Sequence, residues 1–476
     1  MFNFPLSLLF LFCLFLFSCI SIQNNLNINE KIDIPSEWHS SIDLDNTINN
    51  EWWKEFEDND LDSLIALFLN NNYNLKLAYQ ALQSSLYKSK INGTEIFPSI
   101  SYNINKNESI QNFSGSAFED VANLFSESDN DVITSSTQTY GMNLGTRWEI
   151  DIWGRLLSKR YSEKKDYLAV EYDYKYMELS LLSNFVKTYF LLLESSEQVL
   201  LAENSVNAYK DIFNIVEKRY NQGIRSSLDY RLSASNLSSA EAVREQRKIV
   251  YDQIKTKIKI FLGEYPDSDF LSFKNLPQDY PSLPDNMPSD LLNRRPDIIA
   301  SEMRMHASKL RLVQAKRMRL PSFNLAYSTG YSSANSSDIA KEQNYIWNLA
   351  MGLTLPLFQA GRLKANQKLS ESELNRSELE YIQTVLNAFS EVESKISSHH
   401  LLLSQLDALN KALEQAEEAL NLSKDRYDAG ISELITVLDS QRRVFDTRSQ
   451  MIFIKRQLID NRIDLILALG GTYETE

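Results

Sequence analysis

The chain repeats itself at a fixed interval, and each repeat contains a long stretch without a helix-breaking residue. Gly154-Arg155 recurs as Gly361-Arg362, and the motif Arg-Tyr-x-x-Gly at Arg219–Gly223 recurs at Arg426–Gly430, both after 207 residues. The two landmarks of each half are 64 positions apart, with no proline or glycine between the two arginines that bound this stretch. At a rise of 1.5 Å per residue such a helix is about 96 Å long. The sequence therefore predicts a duplicated architecture of long helical rods.

Shorter helical stretches supply partners for the two rods. Each is about half as long as a rod; they are predicted over Leu61–Asn92, Leu228–Leu262, Ser289–Arg319 and Leu434–Leu469. In the second rod an apolar seam from Ile382 to Leu420 repeats at spacings of three, four or seven, the pattern of helices that supercoil side by side. Each half is thus predicted to form antiparallel helices that reverse direction at the Arg-Tyr-x-x-Gly turn. Gly223 and Gly430 suit the left-handed conformation that ends a helix.

Four short segments have a period of two instead. Their apolar side chains alternate with polar or small ones, as in strands with one apolar face: Ile100, Tyr102 and Ile104; Tyr140, Met142, Leu144, Trp148, Ile150 and Ile152; Phe323, Leu325, Tyr327 and Tyr331; Tyr345, Trp347, Leu349, Met351, Leu353 and Leu355. The polar stretch Ser114–Ser136 between the first two segments is predicted to be a surface loop. A strand crosses a bilayer in about 9–11 residues. Backbone groups in lipid must all be hydrogen-bonded, so a sheet there must close, and the smallest membrane barrels have about eight strands. One chain supplies only four predicted strands, which are too few to close a barrel. Several chains are therefore expected to share one barrel.

The N-terminus is predicted to carry an export signal. The apolar run Leu6–Phe17 is too short to span a bilayer as a helix but suits the central region of a signal peptide. It ends in Leu16-Phe17-Ser18-Cys19, which resembles a bacterial lipobox and predicts lipidation at Cys19. An uncleaved anchor or a simple secretory signal remains the alternative.

Composition excludes several classes of function. The formal net charge of −14 disfavours nucleic-acid binding, which needs clustered Lys and Arg. The four histidines stand in no metal-ligand pattern, and there is no nucleophile elbow, Walker loop or dinucleotide fingerprint. Arg294-Arg295-Pro296-Asp297 contains a proline near the start of a helix, which is a structural signal. We therefore expect no enzymatic activity, no cofactor and no metal.

Six motifs in order resemble one known family. They are "RWEIDIWGRL" at Arg147–Leu156, "LTLPLFQAGRL" at Leu353–Leu363, the two Arg-Tyr-x-x-Gly turns, "LLNRRPDIIASEMRMHA" at Leu291–Ala307 and the terminal "ALGGTY". The chain resembles the TolC-like outer membrane factors, and within them the lipoprotein branch that serves resistance-nodulation-division efflux pumps. The resemblance covers nearly all of the mature chain.

The resemblance implies a mainly α-helical chain with a transmembrane β part, assembled as a homotrimer. Each chain would give four strands to a twelve-stranded barrel in the outer membrane, continued by an α-helical coiled-coil barrel in the periplasm. The predicted segments are the signal peptide 1–18, an N-terminal segment 19–60, a first repeat 61–262 with β-hairpin 97–153 and long helix 155–220, a Pro-rich equatorial linker 263–288, a second repeat 289–469 with β-hairpin 320–358 and long helix 362–427, and a tail 470–476. The implied partners are outer membrane lipid, a periplasmic membrane-fusion adaptor and, indirectly, an inner-membrane pump of the resistance-nodulation-division type.

The resemblance further implies a gate at the periplasmic tips. Tyr427 would bond to Asp229 on the other hairpin, and Asp439 would line the constriction, where three-fold symmetry brings together three carboxylates that attract cations. Ser432 stands where some members have a gate arginine, while Arg225 occupies the equivalent position of the first hairpin. The residues expected in the tip turns and at the adaptor are Arg219, Tyr220, Gly223, Arg426, Tyr427 and Gly430.

Alternatives remain open for these residues and for the chain. Arg219 and Arg426 could serve only as charges at helix C-termini, and Asp229 only as a helix N-cap. The predicted function is a passive exit duct for drugs or other small molecules. Its rivals are an outer membrane duct for protein secretion by a type I system and a lipid-tethered coiled-coil scaffold without a pore.

Overall fold

A computed structural model describes residue 38 and residues 51–112, 134–267, 276–277 and 291–471. Cys19 and the predicted signal peptide lie outside these residues, as do most of the predicted loop and most of the linker. In chain order the elements are α1 (Asn59–Asn71), α2 (Tyr73–Gly93), β1 (Ser99–Asn112), β2 (Thr134–Ile150), α3 (Arg155–Asn221), α4 (Ser227–Phe261), α5 (Leu291–Arg294), α6 (Pro296–Arg317), β3 (Ser322–Ser333), β4 (Tyr345–Thr354), α7 (Arg362–Asp428) and α8 (Leu434–Ala468). Short 3-10 turns cover Trp52–Phe56, Thr94–Ile96, Ser336–Asp338 and Glu342–Asn344.

The internal repeat is visible in the lengths of the helices. The long helices α3 and α7 both have 67 residues, and the returning helices α4 and α8 both have 35. Each begins and ends 207 positions after its counterpart. At a rise of 1.5 Å per residue the long helices measure about 100 Å. The repeat therefore holds in the backbone as well as in the sequence motifs.

Two helices predicted as continuous are interrupted. The stretch Leu61–Asn92 breaks at Asn72, whose side-chain oxygen accepts from the amides of Asn74 and Leu75 at 2.9 and 3.0 Å and so caps α2. The Asn72 amide group also donates to the carbonyl of Phe261 at 2.8 Å. Ser289–Arg319 is similarly divided into α5 and α6, since Pro296 opens a new helix after Arg295. At each break a polar side chain joins the helix end to another helix: Asn72 donates to the Phe261 carbonyl, and Arg295 donates to the Ala468 carbonyl.

The described residues fall into two compact units, each taking segments from both repeats. The first unit covers 85–167 and 304–378 within the described residues and contains the sheet. Its four strands pair antiparallel in the order β1-β2-β3-β4. Strand β2 begins at Thr134, so the last residues of the predicted loop belong to a strand, and β2 and β4 end before Ile152 and Leu355.

The register of the sheet gathers the apolar residues on one face. Tyr102 lies opposite Leu144, and Leu325 lies opposite both Trp148 and Met351. Residues directly opposite each other in antiparallel strands point to the same side. The same face carries Ile100, Ile104, Met142, Ile150, Phe323, Tyr327, Tyr331, Tyr345, Trp347, Leu349 and Leu353. Many of these side chains are exposed, up to 77% for Met351, so an apolar surface on the sheet is left uncovered within the chain.

The second unit is helical, with its own buried core. It covers 51–84, 168–303 and 379–471 within the described residues, together with residue 38. The stacked rings of Phe68 and Phe185, with centroids 4.7 Å apart, lie in a cluster that joins helices from both repeats. On α7, Val385, Val392 and Ile396 of the predicted seam are buried, whereas Leu403 is 40% exposed. The seam is thus only partly covered within one chain.

Charged side chains also join the helices of this unit. Asp464 on α8 accepts from Lys187 on α3 and Lys395 on α7, both at 2.7 Å. Burial alone would raise the pKa of Asp464, but the two lysines hold it below its usual value. One carboxylate therefore ties the two long helices to a returning helix.

Candidate functional site

The two Arg-Tyr-x-x-Gly turns close their helices by one hydrogen-bond pattern. The amide of Gly223 donates to the Tyr220 carbonyl at 2.8 Å, and the amide of Ile224 donates to the Arg219 carbonyl at 2.9 Å. The second turn repeats both bonds: the amide of Gly430 donates to the Tyr427 carbonyl at 3.0 Å, and the amide of Ile431 donates to the Arg426 carbonyl at 2.8 Å. This is the Schellman motif, which requires a left-handed residue where the glycine stands. Gly223 and Gly430 have φ values of +74° and +75°, and an added Cβ would meet no atom within 4 Å, so backbone conformation is what favours glycine here.

The two turns contact each other through arginines of the first and the tyrosine of the second. The guanidinium carbon of Arg225 lies 4.3 Å from the centroid of the Tyr427 ring, and that of Arg219 lies 5.6 Å from it. Arg225 also donates to the Tyr427 carbonyl at 3.3 Å, and Arg219 forms an ion pair with Asp428 at 3.0 Å. We call these four residues the tip clamp. Each stacked arginine contributes about 0.5–2 kcal/mol, depending on how far it is shielded from water.

Several polar atoms at the tips have no partner among the described residues. They are the Tyr427 hydroxyl, the Arg225 Nε atom and the Ser432 hydroxyl, all buried. Tyr427 is only 5% exposed, and a buried hydroxyl left unpaired costs about 1–3 kcal/mol. Within one chain Tyr427 therefore makes no bond to Asp229, and that bond stays a prediction. Asp229 is not the N-cap of α4, which corrects the alternative for this residue: the cap is Ser226, whose hydroxyl accepts from the Asp229 amide at 3.1 Å.

Asp439 lies in the second turn of α8 and is paired with arginines of its own helix. Its two carboxylate oxygens accept from Arg442 at 2.6 Å and Arg443 at 2.9 Å. These hydrogen bonds hold the pKa of Asp439 below its usual value, so the group is ionised at neutral pH. The sequence predicted the acid but missed its two partners, although the spacings of three and four residues on a helix indicate such pairs.

The remaining predicted tip residues occupy the ends of the long helices. Tyr220 stacks on Tyr230 of α4, with ring centroids 5.1 Å apart. Arg426 lies in the last turn of α7, a position favourable for a positive charge. Asp428 was not predicted, because nothing in the sequence shows which residues of two turns 207 positions apart meet.

The described part of the chain has neither a candidate metal site nor a helix that could cross a membrane. No three His, Cys, Asp or Glu side chains there are grouped so that they could hold a metal ion. None of the helices that the structure describes combines the length and apolarity needed to cross a membrane.

A sheet with one apolar face, two rods of about 100 Å and a clamp where they reverse define the class of a membrane channel subunit with helical hairpins. Comparison with known proteins agrees with this class. The family described as "Outer membrane efflux protein" matches residues 64–263 and 287–471. The chain therefore belongs to the outer membrane efflux protein family.

Relatives and solved structures are similar to this chain over about nine-tenths of its length. The pyoverdine export outer membrane protein OpmQ of Pseudomonas putida is 26% identical over 90% of this chain and 89% of its own length. The cation efflux system protein CusC of Escherichia coli is also 26% identical, over 90% of both chains. The crystal structure of the Campylobacter jejuni CmeC outer membrane channel superimposes with a TM-score of 0.82 at 23% identity, covering 91% of this chain and 90% of that one. The predicted family, the fold class and the function as an outer membrane efflux channel are confirmed.

Proposed function

We propose that three copies of this chain form a passive exit duct, through which small molecules leave the periplasm across the outer membrane. The observation that carries this is the open sheet. Among the described residues β1 and β4 pair on one side only, and the sheet exposes an apolar face. Open edges in lipid leave backbone groups without hydrogen bonds, so strands of further copies must complete the sheet. Three copies give the twelve strands expected from the resemblance.

The height of the apolar face supports a membrane-spanning role. On β2 it runs from Tyr140 to Ile150, which is 11 residues. At about 3.3 Å per residue and a tilt of about 40°, these span about 28 Å, close to the band of about 25 Å on outer membrane barrels. Tyr140, Tyr331 and Tyr345 lie near one end of the face, and the rings of the last two are in contact, 5.7 Å apart. Aromatic side chains at this height suit the boundary between lipid and water.

The tip clamp is the proposed closed state of the gate. It holds the turns of both hairpins together with two stacked arginines and one ion pair. The buried, unpartnered Tyr427 hydroxyl supports a further bond made outside the chain, to Asp229 of a neighbouring copy. Asp439 lines the constriction in this proposal, and the tip turns contact a periplasmic adaptor. An inner-membrane pump of the resistance-nodulation-division type supplies the energy, and the duct performs no chemistry.

The cargo is proposed to be small molecules. Relatives include proteins named for pyoverdine export, cation efflux and toluene efflux. Their cargoes share little chemistry, which fits a wide conduit better than a shaped pocket. Lipidation at Cys19, and thereby a tether to the outer membrane, remains part of the proposal. Mass spectrometry of the mature N-terminus checks it, and an unmodified Cys19 would contradict it.

Conductance of the purified protein in planar bilayers tests the duct and the clamp. We expect low conductance from the wild type and higher conductance from the Arg219→Gln, Arg225→Gln double variant, because both stacked cations are lost. The control is Arg244→Gln on α4, which removes the same charge from an arginine paired with its neighbour Glu245. Silence from every variant, or a lone soluble chain in buffer without detergent, would favour the scaffold without a pore.

The bond across copies has a separate test. Tyr427→Phe and Asp229→Asn should each raise conductance, and the double variant should add little to either, because both remove one bond. Fully additive effects would show that the two residues act independently.

A further inference from the structure

The pairing of Asp439 changes the charge that the constriction presents. Arg442 and Arg443 occupy both of its oxygens, and their side chains are 64% and 70% exposed. A bare ring of three carboxylates attracts cations because its charges add in one place. Paired with two guanidinium groups at 2.6 and 2.9 Å, each carboxylate instead belongs to a cluster of three charges whose sum is positive, so it no longer attracts cations as a bare anion does. Salt screens what remains beyond about 8 Å.

The first repeat adds no charge at the equivalent positions. The residues 207 positions before Asp439, Arg442 and Arg443 are Leu232, Ser235 and Asn236. The two repeats therefore differ at this level, and in the segment 439–443 each chain contributes one negative and two positive charges.

One further acid follows along the same helix. Asp446 lies four residues after Arg442 and interacts electrostatically with it. The segment 439–446 thus carries two acids and two bases, and its net charge is zero. At 439–443 an assembly of three chains would place six guanidinium groups beside three carboxylates.

We infer that Arg442 and Arg443 are specificity-determining residues that cancel the acidic ring of Asp439, so that anionic solutes pass the constriction. The inference rests on the proposed function, because it takes Asp439 to line the narrow part of the duct. It names a class of cargo, small molecules with a carboxylate or another anionic group, that a bare acidic ring would repel.

The reversal potential in a gradient of potassium chloride across a planar bilayer measures this preference. We expect the wild type to show little or no preference for potassium over chloride. Arg443→Gln should shift the permeability ratio several-fold toward potassium, and the Arg442→Gln, Arg443→Gln double variant should shift it further. Asp439→Asn should shift it toward chloride. Arg443→Lys keeps the charge and should leave the ratio near that of the wild type.

The matched control is Lys411→Gln on α7. It removes the same unit of charge from an exposed side chain paired with Asp407, and should leave the ratio unchanged. Strong cation preference in the wild type that the arginine variants do not alter would overturn the inference while leaving the duct intact. Absence of conductance in every form would instead contradict the duct itself, and this inference with it.

Discussion

Arg295 offers a sharp test of how the helices of the second unit are held together. It is 2% exposed and donates twice to Asp297, at 3.0 and 2.7 Å. Its Nη1 atom donates to Glu391 of α7 at 2.7 Å and to the carbonyl of Ala468 at the end of α8 at 2.9 Å. One buried guanidinium therefore joins the start of α6 to two other helices. We predict that Arg295→Met destabilises this unit markedly, although methionine fills part of the same space.

The size of the effect follows from the burial of each contact. Removing one partner of a buried ion pair costs about 3–5 kcal/mol, because the remaining charge is left unpaired. The pair with Glu391 contributes less, because the Glu391 side chain is 50% exposed and ion pairs exposed to water contribute about 0–1 kcal/mol. Asp297 is 22% exposed, so water recovers part of its charge solvation. About 3 kcal/mol is therefore expected, most of it from Asp297 and the orphaned Ala468 carbonyl.

Thermal unfolding in detergent, followed by helical circular dichroism, measures the change. A loss of about 3 kcal/mol corresponds to a drop of roughly 5–10 °C for a unit of this size. Scans must share one heating rate, because unfolding of such proteins is often irreversible. Arg294→Met is the control, because Arg294 is the adjacent arginine and is exposed. Substitutions at the surface usually change the free energy of unfolding by about 0.5 kcal/mol or less. Equal melting temperatures for the two variants would refute the assignment of Arg295 as a buried joint.

Three more predictions follow from individual contacts. Gly330→Ala should block assembly into the outer membrane, because the added Cβ would lie 2.1 Å from the carbonyl oxygen of Met142 on β2. In the control Gly352→Ala, the added Cβ meets nothing within 4 Å, so this variant should assemble normally. Equal amounts of the two variants in the outer membrane would contradict this. Asp464→Asn should lower the melting temperature at neutral pH, since its pKa is depressed and its stabilisation is lost as pH falls through that lowered value. Asp460 should show the opposite dependence of stability on pH. Burial raises the pKa of Asp460 to about 6, so its ionisation lowers the free energy of unfolding as pH rises from about 4 to 6. Asp460→Asn should therefore raise the melting temperature at pH 7.5 but not at pH 4, and a pH-independent difference would refute the reasoning.

Much of the fold could be predicted because it follows from periodicity and from the placement of helix breakers. The stretches after Arg155 and Arg362 lack proline and glycine, so their continuous helices follow directly from local propensity. The alternation of apolar residues likewise determined which face of each strand is apolar. The break at Asn72 was missed because it depends on a bond to the distant Phe261 carbonyl as well as on a local cap.

The candidate site could be predicted only in part, for a physical reason. Glycine at 223 and 430 is required by the local conformation of one turn, so the sequence alone identifies it. The stacking of Arg225 on Tyr427 joins residues 202 positions apart and depends on how two hairpins pack. The pairing of Asp439 with Arg442, by contrast, can be predicted from helical spacing, because residues three positions apart lie on the same face of a helix.

The difference between the repeats explains how duplicated hairpins can make a clamp. The long helices of the two halves have the same length, and Tyr220 and Tyr427 occupy equivalent positions. Equivalent turns would offer like groups to each other, and two arginines or two carboxylates repel. The charges have instead diverged: Arg225 corresponds to Ser432, and Asp428 corresponds to the uncharged Asn221. A cation in one turn can therefore meet an aromatic ring and an acid in the other. The same divergence means that, in the proposed trimer, Asp439 occurs three times around the axis and not six. The equal lengths of the helices determine the architecture, while the unequal charges at their ends allow the two hairpins to bind each other.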